Sequence, residues 1–136
     1  MSLSIKELTN TSTSIDNSIA AVVDSFNVIP TANVVYDLYT APNSSPTSVK
    51  AAIVKGIRLA NIGATAAKVN LYFMRLNATG QNRRRQLSPV DLTLQPGYLY
   101  IDDSELSLEP GDRIQGKCDT ANAIQFVISG AERDVV

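Results

Sequence analysis

Two stretches of the chain repeat one pattern: LTLQPGYLYID at 92–102 and LSLEPGDRIQG at 106–116. Each begins with two leucines separated by one polar residue, so both leucines fall on the same face of an extended segment. A Pro-Gly pair follows in each. Proline supplies the φ that the second position of a β-turn needs, and glycine accepts the positive φ that a type II turn demands at the third. The pattern predicts a strand, a tight turn and a strand, twice over.

Alternation of apolar and polar residues extends upstream and downstream of these stretches. It predicts strands over 34–40, within 48–66, over 66–76 and over 123–130, with a loop at 43–48 and a polar loop tip at 77–86. In the longest of these strands Ile57 and Leu59 share a face. The apolar positions before them change parity near Lys55-Gly56, which predicts a β-bulge there. The strand over 66–76 is predicted to point four side chains inward: Ala67, Val69, Leu71 and Phe73.

The regular spacing of these strands indicates an all-β fold, because about seven or eight short strands with turns between them are typical of a sandwich or barrel. We predict an antiparallel β-sandwich, jelly-roll-like or immunoglobulin-like, over 33–136. Residues 1–32 are predicted to form an N-terminal arm or edge segment, which either completes its own sheet or contacts a neighbouring subunit. Within it, 17–30 favours an edge strand, with a helix capped by Ser14 or Asp16 as the alternative.

Composition indicates a single domain with few charged residues. The chain has 136 residues, a net charge of −1 and 18% charged residues, against about 25% in ordinary globular domains. So small a net charge gives no overall attraction to nucleic acid or to an anionic membrane, and we predict neither as a partner. No apolar run has the length of a membrane span. A single cysteine, Cys118, excludes an internal disulfide.

The residues that usually carry catalysis are scarce. The chain has no histidine, which removes the commonest general base and metal ligand. A group of carboxylates within 102–112 is interpreted as a solvated turn face, with a calcium site or carboxylate catalysis as alternatives that would need several of them to converge. We therefore predict a protein that is not an enzyme, without catalytic residues, metal or cofactor. The carboxylates are Asp102, Asp103, Glu105, Glu109 and Asp112.

The concentrated basic feature of the sequence is Arg83, Arg84 and Arg85. One interpretation is a solvated hairpin tip. The other is contact with an acidic patch on a partner protein, because guanidinium groups pair bidentately with carboxylates. Three arginines without a longer basic stripe give too small an electrostatic footprint for nucleic-acid binding. We take the three arginines as the candidate partner interface.

Five segments, in their order and spacing, carry a family resemblance: YTAP at 39–42, IRLAN at 57–61, VNLYF at 69–73, LEPGD at 108–112 and ISG at 128–130. Across 33–132 the chain resembles small β-sandwich virion structural proteins of tailed bacteriophages. The resemblance implies a capsid decoration (cement) protein, or a tail, baseplate or fibre component. It also implies location in the virion after assembly in the host cytoplasm, and contact with the major capsid protein or with tail or baseplate subunits. Proteins of that group have no catalytic residues, so the resemblance assigns none to this chain.

The leading hypothesis is a decoration protein that stabilises a particle by burying surface against neighbouring subunits. Ring symmetry is common in such assemblies, and we expect a homo-oligomer, with a trimer as the predicted number of copies. A baseplate, tail or fibre component is the second hypothesis. A carbohydrate- or receptor-binding β-sandwich module, using exposed tyrosines such as Tyr72 and Tyr98, is another. A hydrolase that uses only carboxylates is the enzymatic alternative.

Overall fold

The computed structural model describes residues 3–7, 27–42, 50–76 and 82–134. These ranges contain strands and no helix, so the all-β prediction is confirmed. In chain order the strands are β1 Leu3–Glu7, β2 Tyr36–Thr40, β3 Lys50–Asn61, β4 Ala67–Leu76, β5 Asn82–Gln86, β6 Leu92–Leu94, β7 Leu99–Asp102, β8 Leu106–Leu108, β9 Arg113–Cys118 and β10 Ile124–Asp134.

The strands form two antiparallel five-stranded sheets. Sheet A has the order β1-β10-β3-β7, with β8 also paired to β3, and sheet B has the order β2-β9-β4-β5, with β6 also paired to β4. The pairing is nested, since β1 pairs with β10, β2 with β9, β3 with β7 and β8, and β4 with β5 and β6. Nested antiparallel pairs divided over two packed sheets make a jelly roll, one of the two sandwich types that the sequence allowed.

The hydrophobic core lies between the two sheets. On β4, Ala67, Val69 and Leu71 are fully buried and Phe73 is partly buried against the core, so the predicted inward face of this strand is confirmed. Sheet A contributes the opposite layer of the core, which includes Val54, Ile57, Leu59, Ile124 and Ile128.

Both Pro-Gly pairs form the predicted turns. Gly97 and Gly111 have φ values of 82° and 88°, near the value of about +80° that the third position of a type II turn requires. In each turn the backbone N–H of the fourth residue donates to the carbonyl of the first, at 3.0 and 2.9 Å. The first turn takes the chain from β6 in sheet B to β7 in sheet A, and the second takes it from β8 back to β9. The repeated sequence pattern therefore forms the turns by which the chain crosses from one sheet to the other.

The predicted bulge in β3 is present. On β10, Ser129 pairs with Gly56 and Gly130 pairs with Val54, so Lys55 has no opposite residue in the register. An extra residue reverses the parity of a strand. The buried apolar positions of β3 are accordingly Ala52 and Val54 before the bulge, and Ile57 and Leu59 after it.

Two parts of the N-terminal segment lie within the sandwich. Strand β1 pairs with β10 at the border of sheet A. Val28 forms a bridge to Gln125, and Ile29 is fully buried in the core. The helix or strand considered for 17–30 lies mostly outside the described residues, and the loop at 43–48 lies wholly outside them. Contact of this segment with a neighbouring subunit stays a prediction.

Candidate functional site

The three consecutive arginines lie on a strand, not at the loop tip that the sequence predicted. Arg83, Arg84 and Arg85 occupy the middle of β5, which borders sheet B in the described part of the chain. All three side chains are exposed. The prediction was wrong because it relied on apolar alternation, whereas a border strand with charged side chains shows none.

Strand geometry separates these arginines. Arg83 lies opposite Arg75 of β4, and Arg85 lies opposite Phe73, so all four side chains share the face of sheet B that continues the core side. Arg84 points to the outer face. The three arginines therefore do not form one surface.

Four side chains line a pocket of about 320 Å³ where this face extends past the core: Phe73, Arg75, Arg83 and Arg85. We term it the arginine pocket. The guanidinium carbon of Arg75 lies 5.3 Å from the centroid of the Phe73 ring, within the range of a cation–π contact. Three guanidinium groups and one aromatic ring thus share a single concave site.

Asp112 holds Arg75 in place. Arg75 Nη2 donates to Asp112 Oδ2 at 2.6 Å, and Nε donates to Oδ1 at 3.0 Å. Asp112 is buried, with its side chain 4% exposed, and it also accepts the backbone N–H of Glu109 at 2.8 Å. The hydrogen bond from Arg75 to Asp112 raises the pKa of Arg75 further above its ordinary range. The interpretation of Asp112 as part of a solvated turn face was wrong, because its carboxylate is buried and pairs with Arg75 on β4.

Among the described residues, neither Arg83 nor Arg85 has a comparable carboxylate partner. Within the described ranges, the ion pairs join Lys55 to Glu105, Arg75 to Asp112 and Glu109, and Arg113 to Asp37. Asp112 and Glu109 both lie beside Arg75, whereas no ion pair within the described ranges involves Arg83 or Arg85. The pocket and its immediate neighbours therefore carry more positive than negative charge.

Arg84 belongs to a polar network on the outer face of sheet B. Its Nε donates to Gln115 Oε1 at 3.1 Å, and its guanidinium carbon lies 5.1 Å from the centroid of the Tyr72 ring. Gln115 Nε2 donates to Asp37 Oδ1 at 2.8 Å, and the other oxygen of Asp37 accepts Arg113 Nη1 at 3.0 Å. Arg84 and Tyr72, two residues considered for binding partners, are thus engaged with each other.

The remaining acidic residues are dispersed along turns and strand ends. Glu105 accepts a hydrogen bond from Lys55 Nζ at 2.6 Å, and Asp102 accepts the backbone N–H of Ser104 at 3.0 Å. Among the residues that the structure describes, no three carboxylate or thiol groups are grouped so as to hold a metal ion.

A second surface lies on the outer face of sheet A. Leu99, Ile101 and Val127 are 55%, 55% and 39% exposed. The register places Ile101 and Val127 on either side of Arg58, in one row across β7, β3 and β10. A depression of about 360 Å³ between them is lined by Gly56 and also by the polar residues Arg58, Asp103 and Ser129. We term this surface the outer apolar face.

The chain matches no protein-family model, and neither a curated protein nor a solved structure matches it. In the described ranges, no helix has the length and apolar character that crossing a membrane requires.

Proposed function

We propose that the chain is a non-enzymatic structural protein of a tailed-phage particle, most directly a capsid decoration protein. The observation that supports an assembly role is the outer apolar face, where Leu99, Ile101 and Val127 are exposed together on a regular sheet. Grouped large apolar side chains on a protein surface are typical of an area that another protein covers. The resemblance to virion proteins supports the choice of a phage particle as that assembly.

Binding through this face would follow from burial of apolar area. Covering a leucine, isoleucine or valine side chain contributes about 1.5–3 kcal/mol, and the strands of a sheet hold these side chains in place before contact. Arg58, in the centre of the row, would select a neighbour that offers a carboxylate there. Repetition of a modest contact around a symmetric particle multiplies its strength.

Incorporation into particles tests the proposal. Val127→Asp places a carboxylate in the outer apolar face, directly opposite Arg58. We expect it to reduce incorporation by about tenfold or more, because a neighbour that covers the face would have to desolvate the new charge and would find Arg58 already paired. The matched control is Val90→Asp, since Val90 is 73% exposed and lies outside this face. Both variants are produced in a host infected by a phage whose own copy of the gene is deleted, and the protein in purified particles is quantified by mass spectrometry.

Two results would contradict the proposal. Absence of the wild-type chain from purified particles would exclude a virion role. Equal incorporation of the Val127→Asp and Val90→Asp variants would exclude the outer apolar face as the contact. Density in reconstructed particles distinguishes the head from the tail or baseplate, and sedimentation of the purified protein tests the predicted trimer.

A further inference from the structure

We propose that the arginine pocket binds a compact oxyanion, a phosphate or sulfate group, carried by a small ligand. This inference is independent of the particle role, because it concerns a different face of the molecule and is tested on the isolated protein. It replaces the hypothesis that all three consecutive arginines meet an acidic protein surface.

Charge is the first argument. Arg75 and Arg83 are directly opposite on β4 and β5, and like charges in that arrangement destabilise a sheet. Arg85 adds a third guanidinium to the same pocket. Asp112 and Glu109 both pair with Arg75, so among the described residues Arg83 and Arg85 keep no ion-pair partner. An oxyanion between them would replace repulsion by charge-assisted hydrogen bonds.

The hydrogen-bond donors around the pocket are also arranged for an oxyanion. Asp112 takes up Nε and Nη2 of Arg75, which leaves Nη1 for a ligand and fixes the guanidinium before any ligand arrives. Arg83 and Arg85 are two residues apart on one strand, so both forks project to the same side. A tetrahedral oxyanion has enough oxygens to accept hydrogen bonds from all three groups at once.

Size and shape favour a small ligand over a protein surface. A pocket of about 320 Å³ lies at the lower end of the range for small-molecule sites. It holds more than a bare phosphate, and the exposed part of the Phe73 ring offers an apolar wall to an organic group beside the anion. Arg84 faces the opposite side of the sheet, so the broad basic patch that an acidic protein surface would need is not formed.

Calorimetric titration of the full-length purified protein provides the test. The ligands are inorganic phosphate, inorganic sulfate and phenyl phosphate, each compared with sodium chloride at equal ionic strength. We expect a Kd on the order of 1 mM for the inorganic ions and about threefold or more tighter binding of phenyl phosphate, because its ring can lie against Phe73. Binding of the inorganic ions without a gain from the ring would support the oxyanion site and assign it to the free ion.

Matched variants locate the binding. The double change Arg83→Gln and Arg85→Gln should weaken binding by about tenfold or more, whereas Arg84→Gln should leave it within about twofold of wild type. If the double variant does not fold, Arg85→Lys keeps the charge but loses the fork, and we expect it to weaken binding by about threefold or more.

The proposal is overturned if phosphate, sulfate and phenyl phosphate at about 10 mM give no more heat than sodium chloride. It is also overturned if Arg84→Gln weakens binding as much as the double change, since the effect would then follow net charge and not the pocket. A hexaglutamate peptide that binds more tightly than phenyl phosphate would favour an acidic protein partner and contradict the small ligand.

Discussion

Tyr39 and Glu132 form a hydrogen bond inside the sandwich, between β2 of sheet B and β10 of sheet A. The Tyr39 hydroxyl donates to Glu132 Oε2, and the two residues are 7% and 4% exposed. Burial raises the pKa of Tyr39 above its ordinary value, and the hydrogen bond and charge of Glu132 raise it further. The fold therefore favours the neutral phenol, and ionisation of Tyr39 opposes folding.

Because the pKa of Tyr39 is raised, we expect the folded protein to lose stability in alkali. Because the pKa of Tyr39 is higher in the folded than in the unfolded chain, its contribution is complete below about pH 10 and is lost as the pH rises from there towards the folded pKa. We expect Tyr39→Phe to lower the free energy of unfolding by about 1–3 kcal/mol at pH 8. Above about pH 10 the wild type should lose stability faster than the variant. Urea denaturation at a series of pH values measures both effects.

Tyr98→Phe is the matched control, since Tyr98 is 64% exposed. It should leave the unfolding free energy at pH 8 within about 0.5 kcal/mol of wild type, and should keep the steeper alkaline decline. Identical alkaline declines in wild type and Tyr39→Phe would contradict the assignment of this effect to Tyr39.

Pairs of this kind could not be predicted from the sequence. Tyr39 and Glu132 are 93 positions apart, and Arg75 and Asp112 are 37 apart. Alternation assigns a residue to a face, as the inward side of β4 confirms, but it does not say which polar residue will meet which. The arginine pocket was missed for that reason, because only the pairing of β4 with β5 brings Arg75 beside the arginines that the sequence singled out.

At the scale of the elements, the bulge in β3 depends on a glycine in the neighbouring strand. A Cβ at Gly130 would lie 2.0 Å from the carbonyl oxygen of Ile53 and 3.0 Å from the Cα of Val54, where the register shifts. A Cβ at Gly56, on the other side of the bulge, would lie 3.6 Å from Ser129 Oγ, an ordinary contact. Only the glycine at 130 is required by close approach of the two backbones.

The two glycines give a matched pair of variants. Gly130→Ala should lower the free energy of unfolding by about 2–4 kcal/mol, because β3 and β10 must separate to admit the methyl group. Gly56→Ala should change it by less than about 1 kcal/mol, in the stabilising direction, because alanine loses less backbone entropy than glycine in a strand. Denaturation followed by circular dichroism measures both, and equal effects would contradict the described register.

Elements with a local signal were predictable. The Pro-Gly turns and the bulge each rest on residues adjacent in the sequence, so their chemistry is visible before folding. Strand β5 was missed because its sequence, Asn-Arg-Arg-Arg-Gln, contains no apolar residue. It is a strand because it pairs with the C-terminal half of β4, from Tyr72 to Leu76. The backbone N–H and C=O groups of that half need hydrogen-bond partners, and β5 supplies them.

For the whole molecule, the nested pairing ties the ends of the chain to each other. The first described strand lies beside the last, and the two Pro-Gly turns carry the chain from one sheet to the other and back. The sequence predicted a sandwich but not this order, because periodicity identifies strands and faces without identifying partners. Both sheets share one core, so we expect the described part of the molecule to open cooperatively.

Cys118 provides a probe of that cooperativity. It is the last residue of β9 and belongs to the core, with 0% exposure, and burial raises the pKa of its thiol. A thiol reagent attacks the thiolate, so it needs both access and deprotonation. Neither is available without separating the sheets, which makes the labelling of Cys118 a measure of opening.

We therefore expect a disulfide reagent at pH 8 to label the native protein more slowly than the urea-unfolded chain, by about a thousandfold or more, because the equilibrium constant for unfolding limits access. Gly130→Ala should accelerate labelling in proportion to its loss of stability, and Gly56→Ala should not accelerate it. If opening is global, the free energy from labelling equals that from urea denaturation. Rapid labelling of a protein that keeps its native circular dichroism would show that β9 opens alone, and would contradict a cooperative sandwich.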